Sequence, residues 1–370
     1  MAPPQKICIV APGLSIHAKR WADGLHDRGH EVLWVATGGC DARDTRARQF
    51  IPSARRGASE GRILGRMKSS VDIYRAIRRF APDLVHLHYL LGDRWTHLLS
   101  RSWRPFVVSV WGSDVALQEA GRSSARVDRR KQDILARASR VTATSRYLAE
   151  QTRRRFDHRD LPIEVIPFGV DLERFSLRPQ LSAGQEPVIG FLKTYSAGYG
   201  PHVLLEAMSV LCRRLPNIKL LMHGFGDPEP YRAQALELGL ADRVRIEGGL
   251  PHEEVSAALQ QIDVFCMPSL AESFGVAAVE AAACGLAVVA SRTGGIPEVV
   301  QDGVTGILVE PGDPLALGNA LCDLVNDPDR MRTMGEAGRA MVEKSFDWSH
   351  NLSQMEAVYE EVLSNSKHPG

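Results

Sequence analysis

The chain has 370 residues, of which 44% are hydrophobic and 24% are charged, the proportions of an ordinary globular protein. Its length predicts two domains, because one hydrophobic core rarely extends beyond ~250–300 residues. No apolar run approaches the roughly 20 residues that span a bilayer, so membrane-spanning helices are not expected. The sequence shows no N-terminal signal pattern, and its six cysteines are scattered without a CxxC pair. These features favour free thiols and a cytoplasmic location.

The net charge of +1 conceals an asymmetry between the two halves of the chain. Residues 1–170 hold 30 Lys and Arg against 17 Asp and Glu, whereas residues 171–370 hold 15 against 27. Net charges of opposite sign favour two domains with different partners, and the partner of the basic first domain is expected to be anionic. The basic stretches 43–79 and 122–155 are either solvated helix faces or a surface for an anionic partner such as a membrane. Nucleic acid is not expected, because aromatic residues are not interleaved with the basic ones.

The first half of the chain alternates apolar strands with helices. The first strand, KICIVA, is a continuous apolar run and is therefore expected to be covered on both faces. Strands are predicted at 6–11, 30–36, 83–88, 105–111, 139–145 and 163–171, and helices near 16–28, 71–80, 91–102 and 122–138. The segment 43–68 reads as an arginine-rich connection, and 180–186 as a loop at the boundary between domains.

The second half repeats this alternation. Strands are predicted at 187–192, 218–226, 243–248, 262–269, 286–290 and 305–311, and helices at 202–214, 230–238, 252–261 and twice near the C-terminus. Such alternation predicts parallel sheets with right-handed crossovers. The expected fold is α/β, with two Rossmann-like doubly wound domains facing each other across a cleft. Their expected bounds are 1–170 and 171–345, followed by a C-terminal helix in 346–370 that crosses back to the first domain.

Two carboxylates stand out in the segment 269–291, SLAESFGVAAVEAAACGLAVVAS. Glu272 precedes an alanine-rich helix, and Glu280 lies about two turns further on, at ~1.5 Å rise per residue. The free N–H groups at the start of the helix favour an anion. The alternative is that Glu272 is a helix cap and Glu280 a solvated acid, but a carboxylate on so apolar a helix is costly unless it is hydrogen-bonded. A nucleotide sugar, which carries hydroxyls and phosphate together, suits this segment.

The same residues carry a family resemblance. The segment 272–314 resembles the donor-site signature of family 4 retaining glycosyltransferases of the GT-B fold, and the similarity continues in IPFGVD (166–171), HGFGD (223–227), GGLPHEEV (248–255) and IDVFCMPS (262–269). The resemblance implies that Glu280 binds the ribose of the donor nucleotide and that Glu272 contacts the transferred sugar. The other implied donor-binding residues are Ser273, Phe274, Gly275, Val276, Gly224 and Gly226, with the N–H groups of Phe274, Gly275 and Val276 assisting Glu272.

The chain departs from the family pattern where two cations usually neutralise the leaving diphosphate. Phe191 occupies the usual Arg position, and Tyr199 with Gly200 occupies the usual Lys-Gly position. Lys193 is the one cation left in this loop. A lone loop lysine is commonly a solvated charge, but a leaving diphosphate needs a positive neighbour. Lys193 is therefore predicted to be catalytic.

In the first domain the resemblance is looser and rests on RWADGLHDRGHEV (20–32), PDLVHLH (82–88) and SVWGSDV (109–115). Trp111 stands where the family often has a histidine. Asp114 is predicted to meet the acceptor, with a helix N-cap as the alternative. The loop after the first strand suggests Gly13 and His17 near the donor phosphates. His86 and His88 end a strand and are either cleft or core residues.

The predicted activity is transfer of a sugar from a UDP- or GDP-sugar to a saccharide or lipid-linked acceptor hydroxyl with retention of configuration, in cell-surface polysaccharide or glycolipid synthesis. No metal and no cofactor is expected, because no metal-binding motif appears and Asp327-Pro-Asp329 reads as a helix cap. Peripheral contact with the inner face of the plasma membrane is a further expectation. The alternatives are a non-catalytic nucleotide-sugar-binding scaffold, suggested by the missing cations, and an epimerase or inverting enzyme of the same fold.

Overall fold

A computed structural model describes residues 3–37, 45–51, 62–115, 124–178 and 186–367. The described chain forms two compact units: residues 1–167 with 351–370, and residues 168–350. Most of the predicted loop 180–186, the N-terminal part of the predicted helix 122–138 and Cys40 lie outside the described residues. The other five cysteines are free thiols.

The first unit contains a seven-stranded parallel sheet. Its strands are β1 (Lys6–Pro12), β2 (Glu31–Thr37), β3 (Arg48–Phe50), β4 (Leu84–His88), β5 (Phe106–Val110), β6 (Arg140–Ala143) and β7 (Ile163–Val165). Their order across the sheet is β3-β2-β1-β4-β5-β6-β7. The helices are α1 (Ile16–Asp27), α2 (Arg62–Phe80), α3 (Arg94–Ser102), α4 (Ala125–Arg137) and α5 (Arg146–Arg155).

The second unit contains a six-stranded parallel sheet. Its strands are β8 (Val188–Leu192), β9 (Lys219–His223), β10 (Val244–Glu247), β11 (Val264–Met267), β12 (Ala287–Ser291) and β13 (Gly306–Val309), in the order β10-β9-β8-β11-β12-β13. The helices are α6 (Pro201–Arg214), α7 (Glu229–Glu237), α8 (His252–Leu259), α9 (Val276–Ala283), α10 (Ile296–Val299), α11 (Pro314–Val325) and α12 (Pro328–Ser345), with a 3₁₀ turn at Ala197–Tyr199. Helix α13 (Trp348–Lys367) begins in this unit and continues into the first.

The predicted fold class is confirmed, because both sheets are parallel and each continues from strand to helix to strand as Rossmann-like domains do. Apolar strands explain the pattern: every residue of β4, β5, β11 and β12 is buried. The main differences are local. Strand β3 lies within the segment read as a connection, α2 begins earlier than predicted, and β7 ends at Val165 rather than at 171.

No helix among the described residues is both long enough and apolar enough to cross a membrane.

Candidate active site

The segment with the two carboxylates connects two neighbouring central strands. Strand β11 ends at Met267, α9 follows, and β12 pairs with β11 in parallel. Helix α9 begins after Gly275, whose φ is +102° and which provides no side-chain cap. The first N–H groups of the helix therefore have no intrahelical partner and no side-chain cap, as an anion site requires. The loop before α9 lies at the carboxyl end of β11, where ligands of such sheets bind.

A pair of glycines supports this loop from behind. The N–H of Gly295 donates to the carbonyl of Glu272 at 2.9 Å. Gly294 has φ +55°, and a Cβ there would lie 1.8 Å from the Glu272 carbonyl oxygen. Only glycine permits this approach. The Thr-Gly-Gly turn is part of the signature segment 272–314, but the sequence predicted no role for it. Its hydrogen bond to Glu272 joins residues that are more than 20 positions apart.

The two predicted catalytic side chains of the second unit lie together. Lys193 Nζ is 2.5 Å from Glu272 Oε2, and the side chains are only 17% and 11% exposed. The contact is a close ion pair rather than an aligned hydrogen bond, since Glu272 Oε2 has no hydrogen-bond partner among the described residues. Lys193 reaches this place from the end of β8, where its N–H donates to the His223 carbonyl. A ligand that offers hydroxyls to Glu272 and phosphate to Lys193 could exchange with this pair.

Tyr199 has a function in this arrangement that the sequence did not reveal. Lys193 Nζ lies 4.4 Å from the centroid of the Tyr199 ring, within the range of a cation–π contact. The 3₁₀ turn holding Tyr199 ends at Gly200, where φ is +71° and a Cβ would lie 2.0 Å from the Pro268 carbonyl oxygen. The position of the missing family lysine is therefore occupied by a ring that contacts the remaining lysine.

Glu280 is 7% exposed and has a protein partner. His252 Nε2 lies 3.2 Å from Glu280 Oε1, and Arg174 Nη1 lies 3.0 Å from His252 Nδ1. Burial raises the pKa of the neighbouring Cys284 thiol to about 12, and the Glu280 carboxylate adds to this shift. Neither Arg174 nor His252 was predicted to belong to the site. One indirect indication of such a partner was present in the sequence, because a carboxylate on an alanine-rich helix needs a hydrogen-bond donor.

The residues between the two carboxylates are structural as well as candidate ligands. Phe274 is 3% exposed, and its ring makes edge contacts with Phe168 and Phe346 at centroid distances of 6.1 and 5.8 Å. Ser273 is also buried, and Val276 is half-buried. The Phe274 side chain anchors the loop in the core of the unit. Its donor contact, as predicted, would come from the backbone.

Gly224 and Gly226 lie beside the Lys193 loop. A Cβ at Gly224 would lie 2.2 Å from the Lys193 carbonyl oxygen, and Gly226 has φ +100°. Between them, the carbonyl of Phe225 accepts from the N–H of Tyr195 at 2.7 Å. Packing of the chain on itself is a sufficient reason for glycine at both positions. Their contact with a donor stays a prediction.

Asp114, in the first unit, holds loops together. It is 1% exposed, and its carboxylate accepts from the N–H groups of Leu90 and Gly112 at 2.7 Å each and from that of Trp111 at 3.1 Å. Burial raises the pKa of this carboxyl, against the opposing effect of the three N–H groups. These partners precede Asp114 in the chain, whereas the partners of an N-cap follow it.

Gly13 and His17 lie in the first unit as well. The N–H of Gly13 donates to the Thr37 carbonyl at 2.7 Å, so it links β1 to β2. The His17 ring meets the Trp111 ring edge-on at a centroid distance of 6.1 Å. Their predicted contact with the donor phosphates stays a prediction.

His86 and His88 are core residues. Both are fully buried, and their rings lie 3.9 Å apart. His86 contacts the hydroxyls of Ser109 and Tyr359, each at 2.7 Å, and Tyr359 belongs to the part of α13 that lies in this unit. Burial lowers the pKa of both histidines, that of His88 to about 3. Each is therefore neutral at physiological pH.

In the described ranges, no group of three or more His, Cys, Asp and Glu side chains is arranged to hold a metal ion. Independence from metal stays a prediction.

Comparison with known families agrees with this fold. A family model described as Glycosyltransferase Family 4 matches residues 12–174, and one described as Glycosyl transferases group 1 matches residues 173–341. Together these define a glycosyltransferase built of two Rossmann-like domains.

Individual relatives narrow the class. A D-inositol 3-phosphate glycosyltransferase of Corynebacterium jeikeium is 33% identical over 76% of this chain and 72% of its own length. A GDP-mannose-dependent alpha-(1-6)-phosphatidylinositol monomannoside mannosyltransferase of Mycolicibacterium smegmatis is 37% identical over 56% of this chain and 58% of its own. The chain belongs to glycosyltransferase family 4 and is an enzyme of the hexosyltransferase type.

Solved structures share the fold. A sucrose-phosphate synthase from Thermosynechococcus elongatus superposes with a TM-score of 0.82 at 24% identity, covering 97% of this chain and 99% of its own. The Anabaena protein HepE, in complex with UDP and glucose, gives a TM-score of 0.78 at 20% identity, covering 96% and 100%.

Proposed function

We propose that this enzyme transfers a sugar from a UDP- or GDP-sugar to an acceptor hydroxyl with retention of anomeric configuration. The observation that carries the proposal is the contact between Lys193 and Glu272 beside the uncapped start of α9. A cation, a hydroxyl-binding carboxylate and free N–H groups at one strand end match the phosphate and hydroxyl groups of such a donor.

Each part of the donor is assigned one partner. Glu280 accepts from the ribose hydroxyls, and Glu272 accepts from hydroxyls of the transferred sugar. The N–H groups of Phe274, Gly275 and Val276 assist Glu272. Lys193 moves from Glu272 to the diphosphate, because a diphosphate with two negative charges attracts the ammonium more strongly than one carboxylate does.

The reaction follows from these assignments. The bond between the anomeric carbon and the diphosphate oxygen breaks, and the acceptor oxygen bonds to the same carbon from the same face. The acceptor proton passes to the leaving phosphate oxygen. Lys193 and the dipole of α9 stabilise the negative charge that develops on the diphosphate, which is the largest single contribution in many transfer reactions. No metal ion and no cofactor takes part in this scheme.

The acceptor is proposed to be a saccharide or a lipid-linked molecule used in cell-surface polysaccharide or glycolipid synthesis. The two relatives named above act, by their names, on an inositol phosphate and on a phosphatidylinositol mannoside. The excess of basic residues in 1–170 suits an acceptor that carries phosphate. We place the acceptor on the first unit for this reason.

Contact with an anionic membrane surface from the cytoplasmic side is part of the proposal. Val71 and Tyr74 on α2 are 48% and 39% exposed, and Leu98 on α3 is 53% exposed. The Tyr74 ring lies against the Trp103 ring and beside the Arg78 guanidinium. Apolar side chains among arginines suit an interface of acyl chains and anionic headgroups. Sedimentation with liposomes should depend on anionic lipid and on salt, and binding that depends on neither would remove this part.

The donor is identified by a panel of UDP-, GDP- and ADP-sugars in a thermal-shift assay, because a ligand that binds only the folded protein raises its apparent stability. Release of nucleoside diphosphate from the donor that binds is then measured with extracts that contain acceptors. Binding and turnover support transfer. Binding without hydrolysis or transfer for any acceptor extract would favour a scaffold that binds nucleotide sugars, and a product that keeps the nucleotide would favour an epimerase. An inverted anomeric configuration in the product would contradict retention.

A further inference from the structure

We infer that His252 is a positioning residue that orients Glu280 toward the ribose of the donor and that Arg174 fixes the imidazole in the required tautomer. The inference rests on the proposed function, since it takes the ribose role of Glu280 as given. It adds two residues that lie 28 and 106 positions from Glu280 in the chain and that neither spacing nor family resemblance indicates.

The hydrogen-bond chemistry determines the tautomer. The Arg174 guanidinium has donors only, and its Nη1 lies 3.0 Å from His252 Nδ1, so Nδ1 must accept. A neutral imidazole with an accepting Nδ1 carries its proton on Nε2. Nε2 lies 3.2 Å from Glu280 Oε1 and therefore donates to it. A doubly protonated ring would turn an N–H toward the guanidinium, which the arrangement disfavours.

The chain around His252 is held in place from two sides. His252 begins α8, and Ser256, one turn later, donates from Oγ to the Arg174 carbonyl at 2.7 Å. The Phe175 ring, which is 1% exposed, meets the His252 ring at a centroid distance of 5.8 Å. The start of α8 is thus joined to residues 174–175 by three contacts. Ser256 donates to the Arg174 carbonyl, the Arg174 side chain contacts the His252 ring, and the Phe175 ring packs against the same ring. Little freedom remains for the imidazole.

The consequence is a carboxylate with one oxygen occupied and one available. Oε1 accepts the hydrogen bond from His252 Nε2, and the ribose hydroxyl is therefore assigned to Oε2. The Glu280 side chain is only 9% exposed, so its direction is set by its protein partners rather than by water. A fixed Oε2 accepts a ribose hydroxyl without first losing rotational freedom.

The test compares ribonucleotides with deoxynucleotides in the wild type and two variants. Wild type, His252→Leu and His252→Gln are titrated calorimetrically with UDP and GDP and with their 2′-deoxy and 3′-deoxy counterparts. Leucine removes the N–H that donates to Glu280, so the affinity for the ribonucleotide that binds should fall by about tenfold, as expected for a hydrogen bond to a charged group. The affinity for the deoxynucleotide that lacks the contacted hydroxyl should fall by less than about threefold. Glutamine, whose amide can reach the position of Nε2, should restore most of the discrimination.

A further variant tests whether Arg174 fixes the tautomer of His252. Arg174→Met leaves His252 in place but removes the donor to Nδ1, so the tautomer with a proton on Nδ1 becomes accessible. Discrimination between ribo- and deoxynucleotide should fall, while thermal unfolding shows that the protein remains folded. Unchanged discrimination in this variant would overturn the role given to Arg174.

The outcomes separate the inference from the function beneath it. If the wild type discriminates and His252→Leu weakens both nucleotides equally, or neither, then His252 only supports packing and the inference fails alone. If wild-type affinity does not depend on either ribose hydroxyl, the ribose role of Glu280 fails, and the inference fails with it.

Discussion

Two polar groups of the first unit, Asp114 and His86, differ from two of the second, Glu272 and Glu280, in what satisfies them. In the first unit, Asp114 accepts from three backbone N–H groups, and His86 contacts two hydroxyls, all from the chain itself. In the second unit, Glu272 meets one lysine and Glu280 one histidine. A fully satisfied group maintains structure, whereas a group with remaining capacity can bind a ligand. Substitutions in the first unit should therefore reduce stability, and those in the second should reduce activity.

A large effect within the second unit is expected at the glycine turn. Gly294→Ala would place a methyl group 1.8 Å from the Glu272 carbonyl oxygen, so the loop must move. Because displacement of a catalytic group by ~1 Å can cost about a hundredfold in rate, transfer should fall by about that factor. Gly303→Ala is the matched control: its φ is +74°, but a Cβ there meets nothing within 4 Å. Equal rates for the two variants would show that the turn does not position Glu272.

The counterpart in the first unit is a loss of stability. Asp114→Ala leaves three buried N–H groups without their acceptor and should lower the free energy of unfolding by about 3 kcal/mol. Asp93→Ala, which removes the N-cap of α3 and the acceptor of the Thr96 hydroxyl, should lower it by about 1 kcal/mol. Urea unfolding followed by tryptophan fluorescence reports on this unit, because five of the six tryptophans lie in residues 1–167. If Asp114→Ala abolishes transfer without any loss of stability, Asp114 acts on the acceptor instead.

The histidine pair predicts how the same unit responds to acid. The pKa of His88 is lowered from 6.5 to about 3 by burial, so between these pH values the unfolded chain binds a proton that the folded chain does not. The free energy of unfolding should therefore be fully maintained above pH 6.5 and fall as the pH decreases toward 3, by at most ~1.4 kcal/mol per pH unit for this group. His88→Gln should reduce the slope of the free energy of unfolding against pH by the amount that corresponds to about one proton. An unchanged slope would mean that another group causes the acid sensitivity.

The smallest effect is expected at Tyr199. Tyr199→Leu removes the ring below Lys193 and should reduce kcat/KM for transfer by about two- to fivefold, since a partly exposed cation–π contact contributes about 0.5–1 kcal/mol. Tyr199→Phe keeps the ring and should stay within about twofold of the wild type. A larger loss in the phenylalanine variant would assign the function to the hydroxyl.

The sequence predicted those features that depend on local patterns. Strands β11 and β12 are short apolar runs, and the meeting of Lys193 with Glu272 follows from the rule that carboxyl ends of parallel strands share one edge. Strand β3 escaped prediction because it has three residues in an arginine-rich segment, too few for a periodic pattern.

Arg174 and His252 could not be predicted, because their contact joins segments 78 residues apart through tertiary packing. The same holds for Asp114. Its three N–H partners come from two loops. Nothing in the local sequence distinguishes an aspartate that joins two loops from one that caps a helix.

The central claim is that one cation, Lys193, stabilises the leaving diphosphate. The direct measurement is kcat for donor turnover in Lys193→Ala, beside Lys219→Ala as a lysine whose ion pair with Glu186 is exposed. Loss of one preorganised donor to a developing negative charge predicts a fall in kcat of about a hundred- to a thousandfold for Lys193→Ala and no change for Lys219→Ala. A Lys193→Ala enzyme that keeps wild-type kcat would contradict the account.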